Sequence, residues 1–173
     1  YLKSVGIPAN WVMPVMSIGQ VAEIGTMAFL GAVLKRLGWR YTMTIGILGH
    51  AVRFGVFALL PDPTLAVLIN VLHGICYAFF FATVYIFVDE FFPKDARTSA
   101  QGLFNVLILG LGPLAANSIW PRLGEHYRLA SGSEAAAYDF SKLFLWPSGL
   151  ALIAAVALFV FFRPPRDAAS LSS

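Results

Sequence analysis

Charge and cysteine are what this sequence is short of. Only 12% of its 173 residues are charged, against roughly 25% in an ordinary soluble domain, which excludes a typical water-soluble globule. One cysteine, Cys76, stands inside an apolar run; it leaves no disulfide or Cys-based metal site to build within the chain. The net charge is a modest +3. Its lysines and arginines fall in short segments between apolar runs rather than along a continuous basic face, which argues against nucleic acid as a partner. There is no phosphate-cradling glycine loop, no HExxH and no nucleophile elbow. Ser17 with the histidines His50 and His73 could be assembled into a hydrolase, but no motif places the nucleophile, and the chain reads as not an enzyme. No acidic or second histidine partner sits at ligand spacing from either histidine, so both read as groups that hydrogen-bond between helices, and no metal or other cofactor is expected. The opening Tyr1-Leu2-Lys3 has neither an initiator Met nor the pattern of a signal peptide; it reads as a start within a longer protein.

What is present is apolar length. The chain is 58% hydrophobic with 15 Phe, and its mean hydropathy is +0.75. Several runs approach the 20 residues that a helix needs to cross a bilayer. The predicted fold class is all-α, a polytopic transmembrane helix bundle with five spans at about 11–34, 41–60, 64–88, 98–120 and 140–162. The connections are KRLGWR, a tight PDP turn, DEFFPKDAR, the longer PRLGEHYRLASGSEAAAYD, and a tail RPPRDAASLSS. Lys35, Arg36, Arg40, Lys94, Arg97, Arg163 and Arg166 collect on one side, and Lys3, Arg122, Arg128 and Lys142 on the other. The cation-rich side is expected to be cytoplasmic, with the first span starting outside and the C-terminus inside. Five spans with an outside start are what a six-helix bundle would show on losing its first helix.

Nearly all charges fall in loops or at span ends; Glu23 and Arg53 lie deep. A charge at the bilayer centre costs about 2.5–3.5 kcal/mol on insertion scales, so such residues generally face a bundle interior and mark function. Counting about 1.5 Å per residue puts Glu23, Arg53 and Tyr77 each roughly 17–18 Å from the end of its span, in one layer near the midplane. Ser17, Gln20 and Glu23 form a polar stripe at helical spacing, Asn70, His73, Tyr77 and Phe81 line one face of the third span, and Gln101 and Asn105 do so in the fourth. Each has a plainer reading. Glu23 and Arg53 could be a fixed structural ion pair, Asn70, Gln101 and Asn105 interhelical glue, Tyr77 and Phe81 packing. Gly102, Gly110, Gly112 and Pro113 would allow close packing and local bending of the fourth span.

The loops carry a resemblance. GAVLKRLGWR, Gly31–Arg40, resembles the cytoplasmic loop of the major facilitator superfamily, with Lys35 where that pattern often has an acid, and PKDARTSAQGL, Pro93–Leu103, resembles the start of its eleventh helix. On that resemblance the chain is a partial fold of the superfamily, its C-terminal half with helices eight to twelve. MSIGQVAEI, RFGVFAL, HGICYAFFF and RTSAQG are more closely similar to the nucleoside:proton symporters of the superfamily. The resemblance implies a secondary active transporter in the cytoplasmic membrane, whose partners are a nucleoside, a proton, the lipid bilayer and the missing N-terminal half. It makes Gln20 and Glu23 ligands of the sugar hydroxyls or base edge and Tyr77 and Phe81 flanking aromatics; from their positions alone, His73, Asn70 and Asn105 are candidate accessory polar groups. The residues themselves give the same positions a reason, since a nucleoside demands convergent polar groups and a flat apolar plate. One departure is Ala78, where the family commonly has an acid after the tyrosine. Burial would favour the neutral form of Glu23 and make it a proton carrier, while a nearby Arg53 would oppose that. The alternatives are a superfamily carrier for a sugar or drug, and a non-transporting membrane subunit in which Glu23 and Arg53 form a fixed pair.

Overall fold

The computed structural model describes residues 1–129 and 138–165; Arg166 and the middle of the long polar loop lie outside them. Among the described residues, four helices are long and apolar enough to cross a membrane. Helix α1 covers Val12–Leu59 and is helical throughout except at Gly38, where φ is 73° and ψ is 171°. Only glycine enters that region without strain. The segment KRLGWR, read from sequence as a loop, therefore stays helical on both sides of one residue. Gly38 turns the chain back on itself. Along a straight helix Glu23 and Gly49 would stand about 39 Å apart; instead a Cβ on Gly74 would strike the backbone of Glu23, and Cys76 lies against Gly49. The helix thus has two antiparallel arms, 12–37 and 39–59, and the four helices make five passes.

Helix α2 spans Pro63–Phe91. Asp62 starts it by accepting a hydrogen bond from the Leu65 amide at 2.8 Å, with Pro63 in the first turn, where its missing N–H costs nothing. Mid-helix, Tyr77–Ala82 widens into a π-helical turn, across which the Thr83 hydroxyl donates to the Ala78 carbonyl at 3.1 Å. Helix α3, Lys94–His126, also carries a π-helical turn, Val106–Leu111, which ends just before Pro113, a residue with no N–H to give the ladder. Helix α4, Phe140–Phe161, packs on the second arm of α1, where the Ser148 hydroxyl donates to the Ala51 carbonyl at 2.8 Å.

The passes meet at two apolar ends. At the Asp62 end, Ile7, Val15, Phe57 and Ala66 form a buried cluster flanked by Tyr1, Phe54 and Phe144. At the Gly38 end, the Trp39 ring meets Phe87 and Phe91 edge-on at 5.4 and 5.5 Å, and the Arg40 guanidinium lies 4.2 Å over Phe159. Between these ends α2 crosses both arms of α1 on glycine. A Cβ at Gly46 would come within 2.8 Å of the Phe80 nitrogen, and one at Gly74 would press on Ala22 at 2.8 Å as well as on Gly19 and Glu23. Small residues at a crossing let helix backbones touch, the usual route to tight packing where the surroundings are as apolar as the side chains.

The glycines expected to pack closely are elsewhere. Gly102 and Gly110 have nothing within 4 Å of a Cβ position, and Gly112 meets only the Leu107 carbonyl of its own helix. The physical reason is that α3 touches the other passes chiefly near its start, through Phe104 and Asn105 on α2, and leaves its faces open. Local bending is present there as the π-helical turn; close packing on glycine belongs to the two arms of α1 and to α2.

Candidate functional site

The antiparallel fold of α1 and the glycine crossing with α2 bring polar groups from three passes to mid-depth. Arg53, on the second arm, reaches across to α2. Its Nη1 donates to Nδ1 of His73 at 3.0 Å and its Nη2 to Oδ1 of Asn70 at 3.4 Å. Asn70 is buried and its amide donates to the Ala66 carbonyl at 3.0 Å. Nε of Arg53 is enclosed with no hydrogen-bond partner. A guanidinium is donor-only, so Nδ1 of His73 must be the unprotonated, accepting nitrogen and the ring must be neutral in this arrangement. His50, one turn before Arg53, sets its ring 6.4 Å from that of His73 and 6.4 Å from Phe81.

The first arm of α1 and α2 run parallel. His73 lies beside Gly19, its Cδ2 within 3.2 Å of a Cβ position there. Four residues further along each helix this register sets Glu23 level with Tyr77. Glu23 is half-buried and Gln20 exposed. Tyr77 and Phe81 lie against each other with ring centroids 5.5 Å apart and planes tilted by 35°. Further toward the Gly38 end Phe81 approaches Phe104 of α3 at 6.4 Å, and the Tyr85 hydroxyl donates to Oδ1 of Asn105.

The residues singled out from sequence thus separate into groups. Arg53, His73 and Asn70 are one hydrogen-bonded cluster. Tyr77 and Phe81 are one aromatic pair, and Asn105 is tied to Tyr85. Among the described residues Glu23 and Arg53 form no ion pair; the ion pairs found are Arg97–Asp89, Arg128–Glu125 and Lys142–Asp139. A cavity of about 400 Å³ opens beside Arg53 and Asn70, with Tyr1, Lys3 and Phe57 among its walls; Gln20 and Glu23 do not line it. Sequence reasoning left His50 and Tyr85 out of the site. Both were within reach of spacing: His50 precedes Arg53 by three, and Tyr85 continues the series 70, 73, 77, 81 by four.

The described residues thus form an all-helical bundle of long apolar helices with charged and polar groups gathered at mid-depth. The comparisons make the class specific. The family described as nucleoside H+ symporter matches residues 1–167, and the chain belongs to that family, within the major facilitator superfamily. YegT of Escherichia coli strain K12 is 31% identical over 172 residues, covering 94% of this chain and 39% of YegT. The xanthosine permease of the same strain is 30% identical, covering 88% of this chain and 36% of the permease. A crystal structure of a mutant of the nucleoside transporter NupG superposes with a TM-score of 0.74 at 27% identity, covering 86% of this chain and 37% of that one. The chain spans 35–39% of the length of the curated relatives. It is a multi-pass membrane protein whose relatives are transporters.

Proposed function

We propose that this chain is the C-terminal half, helices eight to twelve, of a transporter that carries nucleosides across the cytoplasmic membrane together with protons, its C-terminus on the cytoplasmic side. Family membership over nearly the whole chain is the observation that carries this reading. The geometry supports it in three ways. Polar groups converge at mid-depth beside a pair of adjoining aromatics, Tyr77 and Phe81, as a ligand with hydroxyls and a flat ring requires. Gln20 is exposed and Glu23 half-buried, with no ion pair within the described chain that would commit Glu23 to a structural role. The largely open α3 leaves room for further helices of a longer protein to complete a cavity. In this reading Gln20 and Glu23 hydrogen-bond the nucleoside, Tyr77 and Phe81 flank its base, and the two halves rock about the site.

The test uses the full-length transporter in proteoliposomes. Labelled nucleoside should accumulate when an inward proton gradient is imposed, and a protonophore should abolish the accumulation. Excess unlabelled nucleoside, but not a sugar, should compete. Glu23→Gln separates the carboxylate's roles: lost nucleoside binding marks a ligand, whereas retained binding with lost gradient dependence marks a proton carrier. Wild-type protein that carries sugars and ignores nucleosides would overturn the substrate assignment.

A further inference from the structure

We propose that His73 is the residue that takes up the coupling proton, and that Arg53 is the latch which senses it. The inference rests on the transport reading above and adds the group and atom at which the proton lands. It starts from the one hydrogen bond that, among the described residues, joins charged or titratable side chains of different passes at mid-depth, Arg53 Nη1 to His73 Nδ1 at 3.0 Å. The bond exists only while Nδ1 carries a lone pair. A proton arriving at Nδ1 fills that lone pair, turns the imidazole into a cation with two N–H donors, and leaves Arg53 without an acceptor there. Two cations in contact in a low-dielectric layer repel strongly, so the guanidinium must move.

The surroundings show that it has reason and room to do so. Beyond His73 the contacts of Arg53 are weaker: Nη2 to Asn70 is long at 3.4 Å, the guanidinium lies 5.6 Å from the Phe54 ring and 5.4 Å from that of Phe57, and Nε is enclosed without a hydrogen-bond partner. Arg53 and Asn70 also line the cavity of about 400 Å³ that opens toward the Asp62 end, into which the guanidinium can swing. Every group that bears on His73 is accounted for. The second arm of α1 presents Arg53 and His50; the first arm presents Gly19 in contact, with Glu23 one turn further; α2 itself carries Cys76 and Tyr77. Arg53 is hydrogen-bonded to His73, the His50 ring stands 6.4 Å from that of His73, and the one carboxylate among these groups, Glu23, is not ion-paired with Arg53. The proton therefore enters as H⁺ on Nδ1 and leaves from Nδ1 when the bundle has reoriented and Arg53 returns. Because His73 sits in register one turn from the level of Glu23 and Tyr77, the latch is next to the proposed nucleoside site, where its movement is felt.

His73→Asn is the informative variant. The amide oxygen keeps an acceptor near the position of Nδ1 for Arg53, but it takes no proton in the physiological range. In proteoliposomes of the full-length protein, gradient-driven nucleoside accumulation and nucleoside-induced proton uptake should fall at least tenfold, and by a clearly larger factor than equilibrium exchange of labelled for unlabelled nucleoside, which needs no net proton movement. Accumulation within threefold of wild type overturns the proposal. So does a folded variant that binds no nucleoside at any pH, since His73 would then be a ligand. If His73→Asn does not fold, Arg53→Gln decides: removing the neighbouring cation should move the pH midpoint of uptake upward by about one unit, and an unchanged midpoint overturns the latch. Wild-type protein that shows no nucleoside transport would instead sink the functional reading itself, so the two failures are distinct.

Discussion

Helices α2 and α3 adjoin in sequence and are similarly apolar, yet they are held in opposite ways. Pro63–Phe91 lies in the crook of the folded α1, pressed backbone to backbone at Gly19, Gly46 and Gly74, and its Ala66, Cys76, Ala78 and Thr83 are almost inaccessible. Lys94–His126 buries Gly124 and otherwise leaves its side chains wholly or partly exposed, and it is fastened to α2 by side-chain contacts: Tyr85–Asn105, Phe81–Phe104 and Arg97–Asp89. Backbone contacts at glycine have no slack, because nothing flexible lies between the chains to absorb a change. Side-chain contacts are adjustable. Within this chain, then, α1 and α2 make a frame and α3 an element that can tilt on its first half, with a π-helical turn at Val106–Leu111 as a ready bend.

The sharpest way to break that contrast is to add a methyl group on each side of it. Gly74→Ala places a Cβ into the backbone of Gly19, Ala22 and Glu23, and overpacking of this kind costs about 1–3 kcal/mol or more when the neighbour is backbone. We expect loss of folded protein or a strongly lowered melting temperature in detergent. Gly102→Ala meets nothing within 4 Å and should be neutral or stabilising by about 0.5–1 kcal/mol, as alanine is favoured in a helix. A drop for Gly102→Ala as large as for Gly74→Ala would mean that a further segment of the full transporter presses on α3.

Next in size is Gly38→Ala. The dihedral angles at Gly38 belong to a region nearly closed to other residues, with a cost of order 1–3 kcal/mol. The variant should melt lower than wild type, and unchanged melting would show that the turn between the arms has another way to form. Smaller still is Asn105→Ala, which removes the hydrogen bond from Tyr85 and should cost about 0.6 kcal/mol, the average for such bonds between membrane helices. Its effect on transport should exceed its effect on melting if the α2–α3 contact is the adjustable one, and equal small effects on both would argue against tilting. The smallest effect is expected at the start of α4. Asp139 accepts from the Lys142 amide at 3.1 Å and pairs with the Lys142 ammonium at 3.0 Å, and the hydrogen bond from Lys142 holds its carboxyl below the usual carboxylate range. A carboxyl depressed in the folded state stabilises above its unfolded pKa and loses that contribution as the pH falls through the folded value. Asp139→Asn should therefore lower the melting temperature slightly at pH 7, and the difference from wild type should shrink on acidification toward pH 3.

Much of the fold was legible. Runs near 20 apolar residues dictate helices, because a backbone in hydrocarbon must satisfy its own hydrogen bonds, and the Asp-Pro pair at 62–63 marks a helix start by chemistry that needs no neighbours. The role of Gly38 was less so: a glycine flanked by charges reads as part of a loop, and only the folded chain shows helix running up to it from both sides. At the site, the direction of the side chains was not legible. Counting residues places Glu23 and Arg53 in one layer, but whether their side chains meet depends on how each helix is rotated. Arg53 turns to His73 and Asn70, both on α2.

The sequence by itself determined that this is an all-helical membrane protein of the nucleoside symporter family with a few polar groups at mid-depth, since length, hydropathy and motif are properties of the chain read in order. Which of those groups touch was decided only in three dimensions. The crossing of α2 over Gly19, Gly46 and Gly74 sets the rotation and register of three passes at once, and rotation about a helix axis is a quantity that no single helix contains.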